Sequence, residues 1–96
     1  MFQPLSLLTV GQAFKALGNW SSAAAYYDRA AELACQLGAL RARLIVAIAQ
    51  AEFCEEQGHH TAARQSYQQA YDLAAALGDA ARMDRCEAKL RAPGPT

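Results

Sequence analysis

The chain has no excess of charge of either sign. Nine Lys and Arg residues balance nine Asp and Glu residues, so the formal net charge of this 96-residue sequence is zero at pH 7. No run of like charges forms a basic arm or an acidic tail. A nucleic-acid-binding protein normally presents a basic field to the phosphate backbone, so we do not expect nucleic acid as a partner.

Long apolar runs are also absent. The most hydrophobic stretch, 40–53, is interrupted by Arg41, Arg43, Gln50 and Glu52, whereas a membrane-spanning helix needs roughly 20 mainly apolar residues. The first residues, Met-Phe-Gln-Pro, have neither the basic stretch nor the cleavage site of a secretory signal. We therefore expect a cytoplasmic protein with no membrane association.

Cysteine is too scarce for a disulfide framework or a zinc site. Cys35, Cys54 and Cys86 are widely spaced and odd in number. Cys54 lies close to His59 and His60, but no second Cys or His pair follows at a spacing typical of zinc. We expect the cysteines to be packing residues in a reducing compartment, the histidines to lie in a loop, and no metal to be bound.

Motifs for catalysis or cofactor binding are missing as well. The sequence contains no Gly-rich phosphate loop and no nucleophile elbow. Glu52, Glu55 and Glu56 are the nearest approach to an acid–base group, yet no Ser or His accompanies them. We predict that the protein is not an enzyme and has no cofactor.

What the chain does contain is an internal repeat, because residues 18–38 recur 40 positions later as 58–78. A fixed period of this size is typical of stacked helical units that present a surface to a partner. The matched positions are Gly18 and Gly58, Ala23 and Ala63, Tyr27 and Tyr67, Ala30 and Ala70, Leu33 and Leu73, Ala34 and Ala74, Leu37 and Leu77, and Gly38 and Gly78.

Glycines at intervals of 20 divide the chain into segments of a length that suits helices and exceeds that of most strands. We predict an all-α fold in which Asn19, with Ser21 and Ser22 as competitors, is the N-cap of the second helix, and Asp79 is the N-cap of the fifth. Pro93 and Pro95 end the last helix, so residues 92–96 are expected to form a disordered tail. The predicted helices cover 4–17, 20–37, 40–57, 60–77 and 80–91.

The apolar residues predict which helix faces are buried. Alanines at the matched positions let neighbouring helices approach, and Tyr27 and Tyr67 fill the space beside them. We expect Trp20 in the core, and Tyr26 or Tyr71 as the better candidates for interface contacts. The predicted buried stripe of the first helix consists of Leu7, Val10, Gly11, Phe14 and Leu17. The predicted buried face of the second helix consists of Trp20, Ala23, Ala24, Tyr27, Ala30, Ala31, Ala34 and Leu37.

This pattern resembles the tetratricopeptide repeat (TPR). The first unit carries the family pattern at Leu7, Val10, Gly11, Phe14, Gly18, Trp20, Ala23, Tyr27, Ala30 and Leu33. The second keeps it at Gly58, Ala63, Tyr67, Ala70 and Leu73, but has Ala47, Gln50, Ala51, Cys54 and His60 where large, Leu, Gly and aromatic residues are usual. The 40-residue period and the Leu77-Gly78-Asp79 junction are similar to the longer-helix variant of the family.

The resemblance implies an α-solenoid of antiparallel helix hairpins. Residues 1–91 would form one domain, with repeats at about 4–38 and 40–78 and a capping helix at about 79–91. In this family the first helix of each hairpin lines a concave face that holds a peptide or helix of a partner protein. By position, the partner-binding residues would be Leu5, Leu8, Gln12, Lys15, Ile45, Ile48, Glu52, Glu55 and Glu56.

Several alternatives remain open on the sequence alone. The glutamates either select a basic partner segment or form the solvated side of a helix. Two repeats are fewer than the three or more that usually give stability, so the first helix could pair with a second copy in a homodimer. The chain could also be a terminal part of a longer repeat-containing regulator. Arg41, Arg43, Arg82 and Arg85 either share an anionic contact or cover apolar surface with their stems.

Overall fold

The computed structural model describes residues 4–91, and within that range every regular element is a helix. The predicted all-α class is therefore confirmed, and each helix boundary lies within one residue of its predicted position. The predicted disordered tail, 92–96, lies outside the described residues. The helices are α1 (Pro4–Ala16), α2 (Trp20–Leu37), α3 (Leu40–Glu56), α4 (His60–Leu77) and α5 (Ala80–Arg91).

Glycines in the left-handed conformation end the two longest helices. Gly38 follows α2 with φ 64°, and Gly78 follows α4 with φ 71°. The amide of Ala39 then donates to the carbonyl of Ala34, which satisfies a carbonyl that the helix itself leaves unpaired. Any residue with a side chain would be strained by the positive φ at either glycine position, which explains why a glycine ends the second helix of both repeats.

The two predicted N-caps are confirmed. The side chain of Asn19 accepts a hydrogen bond from the amide of Ser22 at 3.3 Å, at the start of α2. At the start of α5, Asp79 Oδ1 accepts from the amide of Arg82 at 3.2 Å, and Oδ2 lies 2.6 Å from the Arg82 guanidinium. The side-chain hydrogen bond from Arg82, followed by the backbone one, lowers the pKa of the Asp79 carboxyl.

Each helix packs against the next one along the chain, and α1 also packs against α3. Because the connections are two or three residues long, the chain reverses direction at each of them. Lys15 near the end of α1 meets Glu56 at the end of α3, which places these two helices in the same direction. The molecule measures 36 × 32 × 17 Å, so its short dimension accommodates about two layers of helices of roughly 10 Å each.

Helix α3 is buried on two sides and joins the two hydrophobic clusters of the protein. Val46 and Phe53 belong to a first cluster with residues of α1 and α2. Leu44 and Ala51 belong to a second cluster with residues of α4 and α5. This position explains why the sequence of α3 has apolar residues around much of its circumference, as expected for a helix with neighbours on opposite sides.

The alternation of small and large residues works as the sequence predicts. Ala23 and Ala30 have no exposed surface, and Tyr27 between them is only 2% exposed. Gly11 of α1 lies directly against this tyrosine, because a Cβ added at Gly11 would come within 3.0 Å of the ring. The absence of a side chain at Gly11 is therefore what allows α1 to approach α2 so closely.

Four apolar residues predicted to be buried are instead exposed. Val10, Leu17, Leu37 and Trp20 keep 40%, 80%, 60% and 38% of their surface in solvent. In α1 the buried side runs through Leu7, Leu8 and Gly11, so that helix is rotated relative to the predicted stripe. Leu17 and Leu37 lie at or beyond helix ends, where the chain turns away from its neighbours. Trp20 packs on Phe53 with ring centroids 5.3 Å apart, yet this contact leaves part of the indole in solvent.

We predict that Gly11→Leu destabilises the fold by about 1–3 kcal/mol, because the new side chain would overlap the Tyr27 ring and push α1 away from α2. Urea denaturation followed by circular dichroism measures the change. Ala25→Leu, at an exposed position of α2, is the matched control and should change the stability by less than about 0.5 kcal/mol. Equal midpoints for wild type and Gly11→Leu would contradict this account of helix approach.

Candidate functional site

Helices α1 and α3 enclose a shallow groove of about 170 Å³, which we call the α1–α3 groove. It contains five of the nine residues predicted to bind a partner. Two arginines from α5 complete its wall. The lining residues are Leu8, Gln12, Ile45, Ile48, Ala49, Glu52, Arg82 and Arg85.

The floor of the groove is apolar and its edges are polar. Leu8 and Ile48 are each only 5% exposed and come from different helices. Ile45 is half-buried and Gln12 is exposed. In α3 the positions 45, 48 and 52 share one side of the helix because they are three and four residues apart, and this spacing brings Glu52 to the edge of the apolar floor.

Every glutamate of the predicted acidic row has a basic partner within the chain. Such half-exposed ion pairs contribute about 0.2–1 kcal/mol each, because solvent screens them and ordering long side chains costs entropy. The acidic row is therefore already neutralised, mainly by α5. The pairs are Glu52 with Arg85 at 3.2 Å, Glu55 with Lys89 at 3.5 Å and Glu56 with Lys15 at 3.2 Å.

Glu55 also accepts a hydrogen bond from the hydroxyl of Tyr67, which is one of the two repeat tyrosines and is 2% exposed. Burial raises the pKa of Tyr67 well above its ordinary value, and the hydrogen bond to Glu55 raises it further. Glu55 thus connects the repeat core to the surface, because the same carboxylate holds Tyr67 and Lys89.

The remaining predicted residues lie at the two ends of α1 and at the C-terminal end of α3. Lys15 and Glu56 form their ion pair where α1 and α3 both end. Leu5 lies in the first turns of α1, is 41% exposed and is not among the residues that line the groove. The structure therefore brings together Leu8, Gln12, Ile45, Ile48 and Glu52 and places the other four predicted residues around them.

The contribution of α5 to the groove was not predicted. Arg82 and Arg85 stand out in the sequence only because basic residues near a helix start oppose the helix dipole. In the structure Arg82 is held by its N-cap Asp79, and Arg85 reaches Glu52 from 33 positions away. No sequence spacing relates two residues that far apart on different helices, so only packing reveals this pair.

The residues weighed as metal ligands are separated by their burial. Cys54 is half-buried against the second cluster, whereas His59 and His60 are exposed. His59 lies in the predicted loop, but His60 is the first residue of α4, and Cys35 is exposed, so it is not the packing residue that we predicted. Over residues 4–91, no three His, Cys, Asp or Glu side chains come together in a way that could hold a metal ion. Burial raises the pKa of the Cys54 and Cys86 thiols, which disfavours the thiolate that binds metals. None of the helices between residues 4 and 91 has the length and apolar character needed to cross a membrane.

Comparisons with known proteins give no relative for this chain: no family model, no curated protein and no solved structure matches it. The comparisons therefore add nothing to the resemblance to the TPR family, which stays a prediction.

We predict that Glu52→Lys lowers the free energy of unfolding by roughly 0.5–1 kcal/mol, because it places like charges together at the α3–α5 contact. Adding Arg85→Glu to that variant should recover most of the loss, since the pair is restored with its signs exchanged. Urea denaturation of the four chains of this double-mutant cycle measures the coupling. Glu32→Lys, at an exposed position of α2, is the control for the change of charge. A cycle with no coupling energy between Glu52 and Arg85 would show that their contact is not formed in solution.

We also predict that stability decreases as the pH rises above about 10, the ordinary pKa of tyrosine. Burial raises the pKa of Tyr27 and Tyr67, so the folded state holds their phenolic protons more tightly than the unfolded state. The free energy of unfolding that these two hydroxyls contribute is therefore complete below that pH and is lost as the pH rises above it. Tyr67→Phe should cost about 1 kcal/mol at neutral pH through the lost hydrogen bond, yet lose less stability on alkalinisation.

Urea denaturation at a series of pH values tests this expectation, with Tyr71→Phe as the control for removing a phenolic hydroxyl from α4. If the alkaline loss of stability is as large in Tyr67→Phe as in the wild type, Tyr67 does not carry the effect.

Proposed function

We propose that the protein is a non-catalytic interaction module that binds a peptide or a helix of another protein in the α1–α3 groove. The observation that carries the proposal is the apolar floor made by Leu8 and Ile48 between two helices, with charged side chains at its edge. An apolar anchor in such a groove supplies affinity, and the surrounding charges select orientation and partner.

We further propose that the two hairpins are TPR-like units and that α5 is their cap. Supporting this, equivalent positions have equivalent burial: Tyr27 and Tyr67 are both 2% exposed, and Ala23 and Ala63 are 0% and 2% exposed. In α5 only Cys86 is fully buried. A helix with one buried contact side and a polar outer side suits the end of a helical stack, because end units must face water.

The size and charge of the groove indicate what kind of partner fits. Its volume of about 170 Å³ is below the roughly 300–1,000 Å³ that is usual for small-molecule sites, which favours one inserted side chain of a larger partner. Both signs of charge are present at the edge, as Glu52 and Arg85. A partner with an apolar residue flanked by charged residues would replace part of this ion pair with its own contacts.

We predict that Gln12→Trp reduces partner recovery roughly tenfold or more, because the new ring at an exposed position covers the mouth of the groove. Pull-down from cell extract with quantitative mass spectrometry measures recovery. Gln65→Trp places the same residue at an exposed position of α4 and is the matched control. Identical partner lists for these two variants would exclude the groove as the binding site.

A second candidate function is self-association through α1. Val10, which is 40% exposed, and the exposed Ala13 lie on one side of α1, and Leu17, which directly follows α1, is 80% exposed. Exposed apolar positions on one side of a helix are typical of helix-pairing surfaces.

If this surface mediates pairing, wild type forms a dimer whose mass falls to that of a monomer on dilution, and Val10→Asp stays monomeric at every concentration. Light scattering over a range of concentrations measures this, with Gln65→Asp as the control. Leu8→Asp is unsuitable because Leu8 is buried and its loss would unfold the hairpin. A wild type that is monomeric throughout excludes this candidate.

A further inference from the structure

A second cavity, of about 450 Å³, lies between α2, the C-terminal half of α3 and the beginning of α4; we call it the α2–α4 cleft. Its walls share no residue with the α1–α3 groove, so the proposed partner-binding function does not account for it. Its volume lies within the roughly 300–1,000 Å³ range of small-molecule sites. The residues important below are Trp20, Tyr27, Asp28, Phe53 and Cys54.

The floor of the cleft is aromatic. Tyr27 meets Phe53 edge to face with ring centroids 4.8 Å apart, and Trp20 lies tilted on Phe53 at 5.3 Å. Phe53 and Tyr27 are buried, whereas Trp20 keeps 38% of its surface exposed. The incomplete covering of Trp20, which made its predicted burial wrong, leaves part of an indole ring available at the edge of the cleft.

Asp28 is the only carboxylate among the residues that line the cleft, and His59 is the only basic residue among them. Its carboxylate accepts a hydrogen bond from Gln50 at 3.4 Å and, in the described structure, has no Lys or Arg partner. The negative charge of Asp28 acts across the cleft on Cys54. Burial raises the pKa of the Cys54 thiol, and the charge of Asp28 raises it further. This unpaired acid contrasts with Glu52, Glu55 and Glu56, each of which has its own basic partner.

The residues that give the cleft its chemistry are not those that the repeat preserves. Forty positions after Trp20 and Asp28 stand His60 and Gln68, whereas Tyr27 is matched by a tyrosine. The hairpin packing therefore requires neither the indole nor the carboxylate, since the second hairpin folds without either at the equivalent positions.

From this geometry we propose that the α2–α4 cleft binds a small organic cation with an apolar or aromatic body. The cationic end lies beside Asp28, and the body packs on the exposed part of Trp20 and along Phe53. The carboxylate attracts the ammonium group, and the aromatic rings hold the apolar body of the ligand by contact. No Lys or Arg side chain is among the residues that line the cleft to attract a negatively charged ligand.

Fluorescence titration tests the proposal, because Trp20 is the only tryptophan of the chain and reports directly on the cleft. Three probes of similar shape differ in charge: phenethylammonium, 2-phenylethanol and 3-phenylpropionate. With wild type we expect a saturable change in emission and an affinity for phenethylammonium roughly fivefold or more above that for the alcohol, with the carboxylate weakest.

Two variants assign the effect to the cleft. Asp28→Asn should reduce the affinity for phenethylammonium to that for 2-phenylethanol, whereas Glu32→Gln, on the same helix outside the cleft, should leave the ratio unchanged. Ala24→Met adds bulk to the cleft wall without changing charge and should weaken all three probes alike. Circular dichroism confirms that each variant is folded.

Three results would overturn the proposal: no saturable change in the emission of wild type, equal affinities for the three probes, or a preference for the carboxylate probe. A preference for phenethylammonium that survives Asp28→Asn would overturn it as well, since the charge selection would then come from elsewhere. None of these results depends on a protein partner, so they leave the proposal for the α1–α3 groove unaffected.

Discussion

The double burial of α3 is the constraint on which the rest of the structure depends. One side of the helix packs into the cluster that contains Tyr27 of α2, and the other packs into the cluster that contains Tyr67 of α4. Because both sides are fixed, the remaining residues of α3 have no freedom to rotate. Ile48 is thereby held in the floor of the α1–α3 groove, and Phe53 is held in the floor of the α2–α4 cleft. Both candidate sites are consequences of the orientation of one helix.

Charge is distributed unequally between the two sites. Around the α1–α3 groove, acids of α3 are paired with bases of α1 and α5, so a partner must compete with existing contacts. Such contacts are weak in water, and exchanging one half-exposed ion pair for another costs little free energy. In the α2–α4 cleft Asp28 has no basic partner among residues 4–91, so an added cation displaces no Lys or Arg side chain. The groove is consequently suited to an exchange of charges with a larger partner, and the cleft to the addition of one positive charge.

The stability of the fold depends on α5 more than its polar sequence suggests. With two hairpins only, the outer side of α4 would lie in water, and Cys86 of α5 closes the second cluster there. Ion pairs from α5 to Glu52 and Glu55 add surface contacts. The side chain of Asp79 accepts a hydrogen bond from the amide of Arg82 in the first turn of α5, and that amide would otherwise lack a partner in the helix. This helix therefore protects the core of the stack and also shapes one wall of the α1–α3 groove.

The sequence by itself determined the helices, their ends and the repeat core, because these depend on local properties: left-handed glycines such as Gly38, capping by Asn19, and the helical spacing of small and large residues. Five residues of the α1–α3 groove were predicted through the resemblance to the tetratricopeptide repeat, which assigns the first helix of each hairpin to a concave face. Only the tertiary structure decided the rotation of α1, the exposure of Trp20, the pairing of the acidic row with α5 and the existence of the α2–α4 cleft. Each of these depends on how far apart two helices lie and at what angle they meet, and side chains distant in sequence set those distances jointly.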